Sequence, residues 1–299
     1  MEQVSGSGRL VVGVDGSDRN LAAVAWAVEE ARDRGAGLIA VYAWHIPTFA
    51  YSAPYFVPVS ADEMSEQGRK ILEAVLAKAG ADPANADLRV VEGNTPGVIR
   101  DIACEPGVDL VVVGSRGRGS AADLFLGSTS HSLSHDCPKP LAIVPTAATG
   151  PHPGHPLRHI VVGTDGSAGA DAAVVWAAEE ARRTDSVLEL VVAWTWTAPF
   201  FPLEADLSVP LEEESLRKAA EDTLGKTVDR LDLHGLTVKR TVREGAAADA
   251  LVDQSREAGM LVVGRRGLGI ARELFLGSVS HACTHRSVAP IVVVPRGQS

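Results

Sequence analysis

The sequence predicts an α/β protein of two similar domains, each an open five-stranded parallel sheet with helices on both faces. Two observations lead to this prediction. Short valine-rich runs alternate with helical patterns along the chain, which is typical of parallel strands joined by right-handed crossover helices. The second half also repeats the first at an offset of 150 positions, as Asp15 and Asp165 in VVGVDGS and VVGTDGS show, together with Gly127 and Gly277.

The repeat divides the chain into domain 1 at residues 1–146, a linker at 147–156 and domain 2 at 157–299. The linker prediction rests on the stretch TAATGPHPGHP, whose proline, glycine and small residues are typical of connections between domains. A chain of 299 residues with 45% apolar content is long enough to form two buried cores.

The first predicted strand of domain 1 is the apolar run Leu10 to Val14, which has the composition of a strand covered on both faces. It ends at Asp15-Gly16-Ser17. Ser17 or Asp18 is expected to cap the helix that follows, because short polar side chains accept hydrogen bonds from the first N–H groups of a helix.

The remaining elements of domain 1 alternate in the same way. We expect strands at 38–44, 88–92, 110–113 and 141–144, and helices at 61–79, 95–103 and 128–136. Residues 46–60 contain three prolines and four aromatic residues and predict a long loop at the lip of a pocket. The fifth strand is apolar and flanked by prolines. Its edge is therefore expected to associate the two halves, or two copies of the chain in a homodimer.

A glycine-rich stretch follows the fourth strand in each half. GSRGRGSAADLFLGSTS at 114–130 has the spacing G-x2-G-x9-G-S, and GRRGLGIARELFLGSVS at 264–280 repeats it. A strand, a glycine loop and a helix N-terminus together let backbone N–H groups approach an anion, so this pattern indicates phosphate binding. Ligands of open parallel sheets bind at the carboxyl ends of the strands, where we expect Asp15 and Gly114 to be neighbours.

With this motif in both halves, each time downstream of VDGS or TDGS, the chain resembles the universal stress protein family in its tandem-domain, ATP-binding form. The resemblance implies Rossmann-like domains of the adenine nucleotide alpha hydrolase type. It also implies one ATP per domain, with Mg²⁺ bound through the phosphates, and a regulatory role in stress, hypoxia, dormancy or growth control. In this role a regulatory protein partner is expected as well.

The resemblance further implies that the aspartate contacts the ribose, that the backbone of a second-strand valine reads adenine, and that the glycine loop holds the ribose and phosphates. Loop arginines are candidates for phosphate contacts, because a guanidinium suits phosphate oxygens; the alternative is that they are solvated. They are Arg116, Arg118, Arg265 and Arg266. The candidate nucleotide-binding residues are Gly13, Asp15, Val41, Gly114, Arg116, Gly117, Gly127, Ser128 and Thr129 in the first half, and Gly163, Asp165, Val191, Gly264, Arg266, Gly267, Gly277, Ser278 and Val279 in the second.

Two alternative functions remain open. The same pocket could serve a slow ATP hydrolase or a nucleotidyl or phosphoryl transferase, or the motif could be a vestige in a packing module that binds no nucleotide. Neither glycine loop contains the lysine that P-loop enzymes place on the phosphates. We therefore expect a nucleotide-binding protein that is not an enzyme, and no catalytic residue is assigned.

Composition and charge narrow the classes of partner. A net charge of -10 and a pI near 5.4 argue against a nucleic-acid binder or a membrane-surface protein, which present basic surfaces. The three cysteines lack the spacing of a disulfide framework or a metal knuckle, and no apolar run reaches the length of a membrane span. A cytoplasmic location is therefore expected.

Histidines occur as i,i+4 pairs at equivalent positions, His131 with His135 and His281 with His285. This spacing places both imidazoles on one helix face, as in some metal sites. A third ligand is missing from each helix, however. We therefore expect helix-end or interface histidines and no metal site.

Overall fold

A computed structural model describes residues 8–45, 60–117, 126–146, 159–195, 213–267 and 276–296. The predicted linker at 147–156 and the proline-rich segment at 46–59 lie outside these ranges. The first half contains β1 (Arg9–Gly13), α1 (Leu21–Arg34), β2 (Gly37–Trp44), α2 (Ala61–Lys78), β3 (Ala86–Glu92), α3 (Thr95–Ala103), β4 (Val108–Gly114), α4 (Ser128–Asp136) and β5 (Leu141–Val144). The second half contains β6 (His159–Gly163), α5 (Ala168–Thr184), β7 (Val187–Trp194), α6 (Glu213–Arg230), β8 (Val238–Glu244), α7 (Ala247–Gln254), β9 (Met260–Gly264), α8 (Ser278–Arg286) and β10 (Ile291–Val294).

All ten strands belong to one sheet with the order β3-β2-β1-β4-β5-β10-β9-β6-β7-β8. Strands within each half are parallel, which confirms the predicted open five-stranded parallel arrangement. The halves meet where β5 pairs antiparallel with β10, with Ile143 opposite Ile291 and Leu141 opposite Val293. The fifth strands therefore associate the two halves of one chain, as their apolar edges predict, and the two predicted sheets form a single one.

Helices cover both faces of this sheet, because residues along each strand alternate between two cores. Leu10 and Val12 of β1 belong to the core that also contains side chains of α1, α2, α5 and α6. Val11 belongs to the opposite core, with side chains of α3, α4, α7 and α8. No helix among the described residues is both long and apolar enough to cross a membrane.

The predicted cap of α1 is wrong. The Ser17 hydroxyl donates to Asp15 Oδ1 at 2.7 Å, and its oxygen accepts no capping hydrogen bond from the turn that follows. Residues Asp18–Asn20 form a 3₁₀ turn, and α1 begins at Leu21. In the second half, the equivalent serine does cap its helix. Ser167 Oγ accepts a hydrogen bond from the Ala170 N–H at 3.2 Å, at the start of α5.

Four charged side chains, Glu30, Arg34, Glu180 and Arg183, form an ion cluster between α1 and α5. Arg34 Nη2 lies 2.6 Å from a Glu180 carboxylate oxygen, and Arg183 Nη2 lies 2.6 Å from Glu30, so each guanidinium reaches the other half. Each arginine also contacts the glutamate of its own helix. The side chains of Glu30 and Glu180 are 1% and 4% exposed. Two buried carboxylates therefore depend on two shared cations.

The ion cluster predicts a pH dependence of stability. Burial, with the negative charge of Glu30, raises the pKa of Glu180 from 4.5 to about 7. The folded state then retains a proton that the unfolded carboxyl has lost, so this stabilising contribution is complete below pH 4.5 and is lost as the pH rises through 7. Glu180→Gln stays neutral at every pH. We expect the free energy of unfolding of the wild type to fall relative to Glu180→Gln between about pH 5 and pH 8. Urea denaturation measures this difference, and a constant difference would contradict the expectation.

Candidate functional site

The two aspartates lie at the carboxyl ends of β1 and β6, in equivalent turns. Asp15 Oδ1 accepts a hydrogen bond from the Ser17 N–H at 2.8 Å, and Asp165 Oδ1 accepts one from the Ser167 N–H at 3.0 Å. The intervening Gly16 has a φ of 72°, a left-handed conformation that favours glycine. These turns hold one oxygen of each aspartate and leave the other directed at the glycine loop.

The first part of each glycine loop packs against this aspartate. A Cβ placed on Gly117 would lie 2.5 Å from Asp15 Oδ2, and a Cβ on Gly267 would overlap Asp165 Oδ2. A side chain at either position would therefore displace the carboxylate. The predicted neighbourhood of Asp15 and the loop after β4 is present in the structure, and it recurs around Asp165.

Backbone hydrogen bonds hold both ends of each glycine loop. The Gly127 N–H donates to the Ser115 carbonyl at 2.7 Å, and the Gly277 N–H donates to the Arg265 carbonyl at 2.8 Å. Each loop therefore returns to the end of the strand from which it departs, and α4 or α8 begins at the next residue. Gly127 and Gly277 precede these helices without a side-chain cap, which leaves first-turn N–H groups for a ligand. The middle of each loop, at 118–125 and 268–275, lies outside the described residues, and so does the candidate Arg118.

In the second half these elements surround a cavity of about 810 Å³. A volume of this size is typical of small-molecule sites. All nine residues predicted for the second half line it: Gly163, Asp165, Val191, Gly264, Arg266, Gly267, Gly277, Ser278 and Val279. Sequence positions more than a hundred residues apart are thus brought to one cavity.

The cavity also contains residues that the sequence analysis missed. Trp194 and Thr195 line it at the end of β7, Thr223 lines it from α6, and Arg296 lines it just after β10. Trp194 carried a signal, because Trp44 stands at the equivalent position of the first half. The sequence contained no such signal for Arg296, because the equivalent residue of the first half is Thr146 and the arginine is not repeated.

The first half places its predicted residues at equivalent positions. Gly13 pairs with Val41 across β1 and β2, just as Gly163 pairs with Val191. A Cβ on Gly13 would lie 2.8 Å from Ile99 Cδ1, so this glycine also permits packing against α3. Gly114 ends β4, Arg116 and Gly117 follow it, and Gly127, Ser128 and Thr129 form the start of α4.

The two halves differ at a buried position beside the glycine loop. Asn20 of the first half is 4% exposed, and its Nδ2 donates to the Gly13 carbonyl at 3.2 Å. A Cβ on Gly114 would lie 3.3 Å from the same nitrogen. Ala170 is the counterpart in the second half, where it lines the cavity. The first site therefore has an amide where the second has a methyl group.

Arg265 does not take the role predicted from the loop sequence. Its Nη2 donates to the Cys137 carbonyl of the first half, so this guanidinium bridges the halves instead of lining the described cavity. Ser115 is its counterpart, a much shorter side chain without a guanidinium. Arg266 lines the cavity as predicted.

Comparison with known proteins gives the same division of the chain. The model of the universal stress protein family matches residues 6–145 and again residues 156–295. Two universal stress proteins of Mycobacterium tuberculosis are each 30% identical; the alignments cover 95% of this chain and 94% or 96% of the relative. A universal stress protein of Mycolicibacterium smegmatis is 40% identical over 143 residues, which are 45% of this chain and 47% of that relative.

A solved structure shows the same fold over almost the full length. The crystal structure of a universal stress protein from Archaeoglobus fulgidus has a TM-score of 0.62 and 20% sequence identity, and the match covers 97% of this chain and 99% of that one. The fold, the duplicated glycine motif and both family matches agree. The chain belongs to the universal stress protein family and contains two copies of its domain in tandem.

Proposed function

We propose that the protein binds one ATP in each half and acts as a regulator in stress, hypoxia, dormancy or growth control. The observation that carries this proposal is the second-half cavity, which contains every residue predicted there. Its volume of about 810 Å³ accommodates a nucleoside triphosphate. A nucleotide needs an apolar surface for the base, an acceptor for the ribose hydroxyls and donors for the phosphates, and the cavity wall supplies all three.

The phosphates find donors at the glycine loop and the start of α8. Gly264, Gly267 and Gly277 allow close approach of the backbone, and the helix N-terminus favours negative charge. Arg266 and Arg296 add two guanidinium groups to the wall. These groups fit a triphosphate, whose charge also binds Mg²⁺; the ion would be held mainly by phosphate oxygens and water.

We assign the base and the ribose to the part of the cavity wall formed by β6, β7, α7 and β9. Val191, Leu251 and Val263 offer an apolar surface for adenine, and Val191 lies within β7, beside the last residue of β6. We assign Asp165 as the acceptor of hydrogen bonds from the ribose hydroxyls. We propose the same assignments for Val41 and Asp15 in the first half, where Asn20 stands at the position of Ala170.

ATP is proposed to be held without rapid turnover. Fast hydrolysis requires a positioned base and charge stabilisation at the transferred phosphoryl group. Among the described lining residues of the second cavity, Asp165 is the single carboxylate, and neither lysine nor histidine is present. Groups that hold substrate and transition state equally well do not accelerate the chemistry. We therefore propose a protein that binds ATP without acting as an enzyme.

We also propose that the protein is located in the cytoplasm, because its three free cysteines suit a reducing environment. Homodimerisation and a regulatory protein partner are part of this proposal, through surfaces other than the paired β5 and β10 edges.

The proposal predicts two ATP molecules per chain and two independent aspartates. Asp165→Ala is expected to weaken one site by about 1 to 3 kcal/mol, the scale of hydrogen bonds to a charged group, and Asp15→Ala to weaken the other. Isothermal titration of the nucleotide-free chain measures both. Asp229→Ala, on the exposed face of α6, is the matched control and should change neither site.

Three outcomes would count against the proposal. A folded protein that binds no ATP would favour the vestigial packing module. Equal loss at both sites from either variant would indicate global destabilisation instead of local contacts. Phosphate release at the roughly 1 to 1000 per second of dedicated enzymes, abolished by Ser128→Ala together with Ser278→Ala, would favour the hydrolase.

A further inference from the structure

Four histidines meet on the face of the sheet covered by α4 and α8. The antiparallel pairing of β5 with β10 places these two equivalent helices beside each other. His131 and His281 have ring centroids 6.1 Å apart, across the junction between the halves. Within the helices, His135 lies 4.7 Å from His131, and His285 lies 4.5 Å from His281. We call these four residues the histidine cluster.

Three members of the cluster offer ligand atoms that converge. One imidazole nitrogen each of His131, His281 and His285 lies within 4.8 Å of the other two. We propose that these three histidines bind one divalent transition-metal ion of the zinc class, bridging the two halves of the chain. From the sequence we expected no metal site, because each helix lacks a third ligand. In the structure the neighbouring helix supplies that ligand.

The distances suit such an ion after small side-chain rotations. Imidazole nitrogens bind Zn²⁺ at about 2.0 to 2.1 Å, so the nitrogens of a tetrahedral site stand roughly 3.3 Å apart. His131 and His281 are exposed and have room to rotate. Three imidazoles leave the fourth position to water, and neutral imidazole is a ligand that favours zinc, copper and nickel over calcium and magnesium.

Two charged side chains near the histidine cluster have partners of their own. Asp136 pairs with Arg100 at 2.6 Å, and the guanidinium of Arg265 is engaged by the Cys137 carbonyl. His135 packs against His131 without belonging to the converging set, and thereby orients that ring. His135 is thus a positioning residue, whereas the three converging histidines would be the ligands.

The ion would connect α4 of the first half to α8 of the second. Because the three ligands come from both halves, only the assembled chain presents the complete site. A ligand that binds the folded state alone raises its stability by mass action. The metal would therefore stabilise the junction between the halves, on the face of the sheet opposite the ion cluster of α1 and α5.

Titration of Zn²⁺ into the untagged, chelator-treated full chain tests the proposal. We expect one Zn²⁺ per chain, and a fall in affinity of roughly 10- to 100-fold or more in His281→Gln and in His131→Gln. His234→Gln is the matched control, since this exposed histidine lies between α6 and β8, outside the cluster. Co²⁺ in place of Zn²⁺ should give the strong visible absorption of a four-coordinate site, and His281→Gln should abolish it.

Circular dichroism on each variant shows whether the chain remains folded, and the thermal midpoint of the wild type should rise with added Zn²⁺. Failure of the folded wild type to bind Zn²⁺ would overturn the proposal. Binding that survives simultaneous replacement of His131, His281 and His285 by glutamine would also overturn it and would place the metal elsewhere, for example at His152 and His155. None of these readouts depends on ATP.

Discussion

Gly264→Ala is expected to weaken ATP binding at the second site by about 100-fold. A Cβ at residue 264 would overlap the carbonyl oxygen of Gly169 and lie 2.8 Å from the carbonyl carbon. Both are backbone atoms of α5, so no side-chain rotation can relieve the overlap. Displacing the loop should cost about 3 kcal/mol, the upper end of overpacking costs, which corresponds to roughly two powers of ten in affinity.

Two glycine variants serve as comparisons in the same titration. Gly114→Ala is the equivalent change in the first half, where the nearest atom would be the Arg116 carbonyl oxygen at 3.1 Å, so a smaller loss is expected there. Gly225→Ala, on α6, would meet nothing within 4 Å and should leave both sites unchanged. If Gly264→Ala bound two ATP molecules with wild-type affinity, the loop after β9 could not be the phosphate site.

Arg34→Met is expected to lower the free energy of unfolding by about 3 to 5 kcal/mol, which is the usual cost of removing one partner from a buried ion pair. The change leaves Glu30 and Glu180 buried with Arg183 alone. It also removes the guanidinium that lies 5.7 Å from the ring centre of Trp176. Methionine keeps the length of the aliphatic stem, so the loss should come mainly from charge. Urea denaturation at pH 7.5 measures it.

Arg69→Met provides the matched control. Arg69 pairs with Glu73 at i,i+4 on α2, and the two side chains are 63% and 44% exposed. Such surface pairs contribute about 0 to 1 kcal/mol. A loss from Arg34→Met no greater than the loss from Arg69→Met would show that the ion cluster does not hold α1 to α5.

Local patterns were sufficient to predict most elements of the fold. The predicted bounds of α3, α4 and β5 agree with the structure, because proline and glycine punctuate the chain at their ends. The glycine motif likewise predicted Gly264, Gly267, Gly277 and Ser278 of the cavity wall, whereas Asp165 and Val191 were predicted from the family resemblance. The predicted cap by Ser17 or Asp18 failed because the 3₁₀ turn Asp18–Asn20 stands between Ser17 and the start of α1.

The contacts between the two halves could not be predicted from the sequence patterns. The ion cluster and the histidine cluster each join residues of equivalent helices, and only the pairing of β5 with β10 determines that these helices touch. The hydrogen bond from Arg265 to the Cys137 carbonyl is another contact between the halves that the sequence patterns did not predict. One local feature of the sequence did argue against a phosphate contact by Arg265. The equivalent residue of the first half is Ser115, and a motif residue that contacts phosphate would be expected in both copies.

The antiparallel pairing of β5 with β10 also determines the relative orientation of the two candidate nucleotide sites. Each half is parallel within itself, so this single reversal turns the carboxyl ends of β1 and β4 away from those of β6 and β9. The two glycine loops therefore open on opposite margins of one continuous sheet. No single nucleotide can touch both. Under the proposed function, a partner that docked over one filled site would leave the other margin of the sheet open to a second partner.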